Sequence, residues 1–182
     1  MPSSTLLRKE WNMWYVIQVK TGREELVKQL IESVVKPDLY EDCLIIYYKT
    51  KRKRNQEWKI EQKKAFPGYL FMITDNIEAM RQHLGQIPEM TRILGYDGEI
   101  VPLSEEETSF IQRLAGGKEC IEMSLGIQIG DQIIVSSGPL KGMESTIRKI
   151  DRHKRIAIIE LKMLGNIREV TVGLEIIRKI YA

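Results

Sequence analysis

The sequence predicts two small domains, an α+β unit followed by an all-β barrel. Three observations carry this. Up to residue 115, strand-like runs alternate with capped helical patterns. Gly116-Gly117 then opens a small, polar, aperiodic stretch. From Ile127 onward there are only strand patterns separated by turn residues. The chain of 182 residues divides accordingly into a first domain over 12–115, a linker over 116–126 and a second domain over 127–182.

Met13 to Lys20 (MWYVIQVK) opens the first domain, with Met13, Tyr15, Ile17 and Val19 alternating against Trp14, Val16 and Gln18. Thr21-Gly22-Arg23-Glu24 has the pattern of a capping box, and Leu26, Val27, Leu30, Ile31 and Val34 lie on one helical face behind it. Pro37 ends that helix. Cys43 to Tyr48 is β-rich and leads into the basic stretch Lys49–Asn55; Trp58 begins a second extended run, which predicts a hairpin with a long positive tip. Ala65-Phe66-Pro67-Gly68-Tyr69 breaks the pattern, and Tyr69–Ile73 resumes as a buried strand. Asp75–Glu78 and Ser104–Glu107 are two further cap signatures, each followed by helical spacing. In the second domain, turn signals at Gly130-Asp131, Gly138-Pro139, Gly142, Asp151–Lys154, Gly165-Asn166 and Gly173 predict about five strands. A barrel of that length is marginal alone, and closing it would remove open edges.

Charge is unevenly placed. Residues 1–115 carry 17 bases and 17 acids, so the last third holds the whole net charge of +3. Lys49, Lys51, Arg52, Lys53, Arg54, Lys59, Lys63 and Lys64 meet only Glu57 and Glu61 in their segment. Lys149, Arg152, Lys154 and Arg155 meet only Asp151, with His153 among them. Such patches suit phosphate backbones, the alternative being a solvated surface.

Several functions are disfavoured. The longest clear charge-free run, Ala65 to Thr74, is half of a membrane span. The first residues, MPSSTLLRKEWN, lack the apolar stretch of a signal peptide. Cys43 and Cys120 are 77 positions apart and form no CxxC, which points to a reducing, cytoplasmic compartment. His83 and His153 have no nucleophile motif nearby, no metal-spaced cluster exists, and Gly138 to Gly142 is not a phosphate-binding loop. No catalytic residue, metal or cofactor is expected.

Trp14-Tyr15 with the following helix, then Phe66-Pro67-Gly68-Tyr69, resemble the N-terminal domain of NusG-type transcription elongation factors. Gly130-Asp131, then Gly138-Pro139-Leu140-Lys141-Gly142, then the alternation through Ile147, Ile150 and Ile156, resemble the KOW motif that ends those proteins. The match runs from about residue 12 to 180, in the family's order. It implies an antiparallel sheet flanked by helices, then an SH3-like KOW barrel with turns at Gly130, Gly138 and Gly142. It implies a monomer whose first domain binds the clamp helices of RNA polymerase and suppresses pausing and termination. Tyr15, Phe66 and Tyr69 match the positions of that binding surface. Lys51, Arg52, Lys53 and Arg54 would lie near upstream or non-template DNA.

Two positions depart from the family pattern. Ser145 stands where glycine is usual, and the barrel tip carries Met143 and Leu164 where aromatic residues contact Rho or a ribosomal protein. With the basic cluster beside it, the chain resembles the LoaP group of antiterminators. In that reading Lys149, Arg152, His153, Lys154 and Arg155 bind a nascent RNA hairpin, through phosphates or base edges. The alternatives are a general factor coupling polymerase to Rho or the ribosome, and a ribosome-associated KOW protein.

Overall fold

The computed structural model describes residues 13–117 and 119–181. The segment 1–12, read above as lacking a signal peptide, lies outside the described residues, as do Lys118 in the expected linker and Ala182.

The first region runs β1 (Trp14–Val19), α1 (Glu24–Val34), a 3-10 turn (Pro37–Leu39), β2 (Asp42–Leu44), β3 (Tyr47–Arg54), β4 (Glu57–Lys64), β5 (Tyr69–Ile73), α2 (Ile77–Leu84), β6 (Thr91–Ile93), β7 (Gly95–Tyr96), β8 (Glu99–Ile100) and α3 (Glu105–Ala115). Its central sheet is antiparallel in the order β2-β5-β1-β6. Alternation along β1 directs the two faces to different neighbours. Tyr15, Ile17 and Val19 pack with Leu70 and Met72 of β5 beneath Val27 and Ile31 of α1 and Met80 and Leu84 of α2. Trp14 and Val16 share the other face with Phe71 and Ile73, beneath Ile111 and Leu114 of α3.

Of the three cap signatures, one holds in full. Ser104 Oγ accepts the Glu107 N–H at 3.2 Å, and Glu107 Oε2 accepts the Ser104 N–H at 2.9 Å. In the second signature the cap is Asn76, which accepts from the Ala79 N–H at 3.1 Å. At α1, Thr21 does not cap: the N-cap residue is Arg23, with no side-chain bond. Glu24 is drawn inward instead, as described below.

The basic hairpin is more ordered than a loop tip. β3 and β4 pair from Tyr47↔Lys64 to Arg54↔Glu57, joined by Asn55 and Gln56, both at positive φ (49° and 68°). That is a two-residue turn of the kind whose twist matches the strands. Lys51 to Arg54 therefore stand on a strand.

The second region comprises β9 (Cys120–Ile121), β10 (Ser124–Ile129), β11 (Gln132–Ser137), a 3-10 turn (Glu144–Thr146), β12 (Ile147–Asp151), β13 (Ile156–Met163) and β14 (Asn166–Ile180). Where a linker was expected over 116–126, Gly116 terminates α3 in the left-handed conformation, β9 pairs with β3, and β10 already begins at Ser124. Five strands form one sheet in the order β11-β10-β14-β13-β12. β14 is long enough to pair with β13 through its first half and with β10 through its second. The edge strands β11 and β12 are not paired with each other; between them Glu144 Oε1 accepts the Val135 N–H of β11 at 3.2 Å. Ser145 lies in the 3-10 turn at ordinary negative φ, so nothing there requires glycine. Gly130, Gly138 and Gly142 all adopt positive φ.

Where a closed barrel was expected, the second region is one five-stranded sheet whose edge strands do not pair, and it is docked against the first region. One continuous buried cluster runs from Trp14, Phe66 and Phe71 through Ile111 and Leu114 to Ile159, Val170 and Val172. Burying side chains of that size contributes roughly 1.5–3 kcal/mol each. Close backbone approaches accompany it. A Cβ on Gly173 of β14 would collide with the Lys49 carbonyl oxygen, and one on Gly165 would reach the Tyr96 ring at 2.6 Å. The β13–β14 turn is also hydrogen-bonded across the seam: Glu107 Oε1 accepts the Leu164 N–H at 2.8 Å. The capping glutamate of α3 therefore serves both domains. Met143 and Leu164, expected at a partner-binding tip, are buried in the shared cluster.

Glu107→Ala is expected to destabilise the full chain by about 1–3 kcal/mol, and by more than Ser104→Ala. The serine variant loses only the cap, while the glutamate variant also leaves the Leu164 N–H without its acceptor. Urea denaturation midpoints compare the two; equal losses would show that the cross-domain bond contributes nothing.

Candidate functional site

Two surfaces carry the residues singled out by sequence. The first is the sheet face around the Phe66–Tyr69 bend. Phe66 is only 4% exposed and meets Phe71 edge-on at a centroid separation of 5.0 Å. Phe71 in turn lies 6.2 Å from Trp14. Tyr69 is half-buried on the same side, with the Arg168 guanidinium of β14 5.8 Å from its ring centroid. Trp14, Phe71, Phe66 and Tyr69 thus form an aromatic series on one face of the sheet. Offset and edge-on arrangements of this kind add stability beyond area alone.

Tyr15 does not belong to this series. It is 4% exposed on the opposite face, where its hydroxyl donates to Met13 Sδ at 3.7 Å. The expectation that Tyr15, Phe66 and Tyr69 share one surface is corrected accordingly. Successive residues of a strand point to opposite sides, so the member contributed by β1 is Trp14. Pairing of β1 with β5 places Val16 opposite Phe71 and Trp14 opposite Ile73, which only the register reveals.

A buried carboxylate shapes the bend. Glu24 is fully buried; its Oε1 accepts the Gly68 N–H at 2.7 Å, and its Oε2 accepts the Gly22 N–H at 2.8 Å and Lys64 Nζ at 2.7 Å. Burial pushes the Glu24 carboxyl up, but Lys64 and the backbone donors outweigh it and hold it below the usual carboxylate range. The exposed Glu25 takes a second bond from Lys64 at 2.8 Å and is lowered as well. The helical start of α1 is thus tied to the Pro67-Gly68 bend and to the end of β4.

The second surface joins the two basic segments. They are about a hundred residues apart in sequence, yet the β3–β4 hairpin lies directly against the β12–β13 turn. Thr50 Oγ1 donates toward the carbonyls of Lys154 (3.1 Å) and Arg155 (3.2 Å). The Arg155 guanidinium carbon stands 3.3 Å above the Trp58 ring centroid. Glu175 of β14 takes Lys51 Nζ at 2.6 Å and Arg155 Nε at 3.5 Å. Lys49 pairs with Glu122 at 2.6 Å. Lys51 and Arg155 are therefore seam residues, already engaged by an acid. Arg52, Lys53, Arg54, Lys149, Arg152, His153 and Lys154 remain exposed, though Arg54 lies 3.3 Å from Glu61 and Lys154 lies 3.7 Å from Asp151. The turn holds its shape through the Lys154 N–H, which donates to Asp151 Oδ1 at 2.9 Å, and through Arg155 at φ 53°.

Among the described residues there is no cluster of three or more His, Cys, Asp or Glu side chains placed to hold a metal. No helix there is long and apolar enough to cross a membrane. Burial pushes the Cys43 thiol up to about 12, which leaves it protonated and unreactive.

The family model described as "Transcription termination factor nusG" matches residues 12–112. The chain is 22% identical over 176 residues to a "Transcription termination/antitermination protein NusG" of Campylobacter jejuni, covering 92% of this chain and 97% of that protein. It is 28% identical over 187 residues to the protein of the same description from Rickettsia felis, covering 98% and 94%. A solved structure described as "Domain interaction in Thermotoga maritima NusG" superposes with a TM-score of 0.56 at 26% identity, over 90% of this chain and 93% of that one.

Glu24→Gln is expected to cost about 1–3 kcal/mol, since Lys64 then faces a neutral amide in a buried site. In the wild type the contribution of Glu24 is present above the usual carboxylate range and disappears as pH falls through its lowered folded-state value. The variant should therefore show a flatter acid limb in thermal stability against pH; an unchanged limb would dismiss the tie.

Proposed function

The chain belongs to the NusG family, making it a transcription factor and not an enzyme, and we propose that it binds RNA polymerase through the aromatic face of its first domain. The observation that carries this reading is the series Trp14, Phe71, Phe66 and Tyr69 on one sheet face. An apolar, aromatic surface with a polar rim is what a helical tip such as the polymerase clamp would require. Glu24 and Lys64 brace the bend from which Phe66 and Tyr69 leave. In the docked arrangement α3 covers Trp14 and Phe71, and the second region closes the shared cluster around Phe66 and Tyr69, so polymerase binding at Phe66 and Tyr69 requires that region to move off. The docked arrangement and the polymerase-bound one are then competing states of the same surface.

The finer role proposed is that of a specialised antiterminator of the LoaP type, in which the basic turn of the barrel takes an RNA hairpin and the bound factor suppresses pausing and termination. Exposed Lys149, Arg152, His153 and Lys154 support it. A general factor coupling polymerase to Rho or the ribosome is the second reading. It is favoured by the relatives, which are termination/antitermination proteins.

Glu175→Lys places a cation beside Lys51 and Arg155 and should loosen the seam. RNA polymerase affinity of the full chain is expected to rise several-fold in this variant. In the same background Phe66→Ala and Tyr69→Ala should each cost about 2 kcal/mol of binding, as interface anchors do. Affinity that responds to none of the three, with circular dichroism unchanged, would refute the assignment.

RNA affinity should fall with salt at a log–log slope near −3 to −4, for about four or five neutralised phosphates. Readthrough of a terminator without Rho should increase only when the RNA leader is present; an equal response on leaderless templates would favour the general factor.

A further inference from the structure

We infer that the β3–β4 hairpin and the β12–β13 turn form a single composite site for looped RNA, with the Trp58–Arg155 pair as its stacking platform. The inference rests on the RNA-binding reading above and goes beyond it in assigning the site to both domains together.

Sequence places the two basic segments in separate domains, each with its own expected nucleic acid. The structure removes that separation. Thr50 hydrogen-bonds to the turn backbone, Arg155 lies over Trp58, and Glu175 clamps Lys51 and Arg155 from β14. Each of these contacts joins a hairpin residue to a barrel residue or ties one down at the seam. They also fix the orientation of Trp58. A guanidinium stacked on an indole restrains the ring and lends it a cationic edge. Yet Trp58 is still 49% exposed, and Ile60, two residues along the same face of β4, is 65% exposed. A large aromatic held rigid and left half open has no role in the core.

The surrounding charge indicates what it takes. Lys53, directly opposite Trp58 in the strand pairing, and Arg152 on the turn are exposed, while Glu61 is engaged by Arg54, Glu175 by Lys51 and Arg155, and Asp151 by Lys154. A flat ring with Lys53 on one strand beside it and Arg152 on the adjoining turn suits an unpaired base with a phosphate on either side. A paired stem cannot offer a base face, whereas a loop can. Arg155 then acts as a positioning residue: it orients Trp58 and is itself held by Glu175, while the exposed cations meet phosphate.

The test uses the full chain and a fluorescent RNA stem-loop with an unpaired loop, with single-stranded DNA of the loop sequence as a second arm. Trp58→Ala should weaken RNA binding about tenfold, as loss of a stacked base does. Lys53→Gln and Arg152→Gln should each weaken it about threefold to fivefold and each make the salt slope shallower by about one. Trp58→Phe should keep most of the affinity but abolish the quenching of tryptophan emission that loop RNA produces. Wild-type binding that Arg152→Gln weakens, but Trp58→Ala and Lys53→Gln leave unchanged, would overturn the composite site and leave the barrel turn as the reader. DNA bound as tightly as RNA would overturn the RNA assignment. If the wild type bound neither, the RNA-binding reading itself would fail, and this inference with it.

Discussion

The architecture turns on an imbalance between the two faces of one small sheet. On one side α1 and α2 bury Tyr15, Ile17, Leu70 and Met72 completely. On the other, α3 alone lies over Trp14, Val16 and Phe71, and a single helix is too narrow to cover a four-stranded sheet. The apolar surface left over must be buried by something else or face water. In this chain β13 packs against α3, β14 runs beside β3, and Arg168 of β14 reaches the Tyr69 ring, so the second region joins the same buried cluster. A five-stranded sheet of this size, with β11 and β12 unpaired to each other, gains from the same contact. The two regions therefore share one core, and the aromatic series lies within it.

Polar contacts around that core set the register of docking. Glu107 closes the capping box of α3 and also receives the Leu164 N–H, so the end of a helix and the turn of a hairpin are positioned by one carboxylate. Glu175 does the same for two cations from different domains. The contacts around Glu175 are partly exposed and individually modest, as surface ion pairs usually are. A partner that opens the interface must outweigh the shared apolar core as well as these ion pairs. A ligand spanning both basic segments favours docking, whereas a partner of the aromatic face favours release. The two are linked with opposite sign.

Much of the fold was legible along the chain. Strand β1 followed from strict alternation, β5 from an uncharged aromatic run, and α3 from Ser104 and Glu107 at one end and Gly116 at the other. These are local rules acting over a few residues, and they survive any tertiary arrangement. The turns at Gly130, Gly138 and Gly142 were legible for the same reason, since each requires a backbone conformation that glycine adopts readily. Among candidate residues, Phe66 and Tyr69 were named from the family motif around the Pro67-Gly68 bend, and both basic clusters from composition.

The errors are all questions of neighbours. Tyr15 and Trp14 are equivalent as letters, and only the pairing of β1 with β5 and the covering helices show which of them joins Phe66. Glu24 reads as a capping residue until Gly68 and Lys64, over forty positions away, are brought to its carboxylate. Trp58 reads as an ordinary strand residue until Arg155, almost a hundred positions away, is placed on its ring. Segment 116–126 looked like a free linker because pairing of β9 with β3 leaves no periodic trace in two residues. Local backbone preferences are written in short stretches of sequence, and so are the elements they produce. Burial, ion pairing and the meeting of distant charges depend on which surfaces remain uncovered once those elements pack, and that was decided by the tertiary structure.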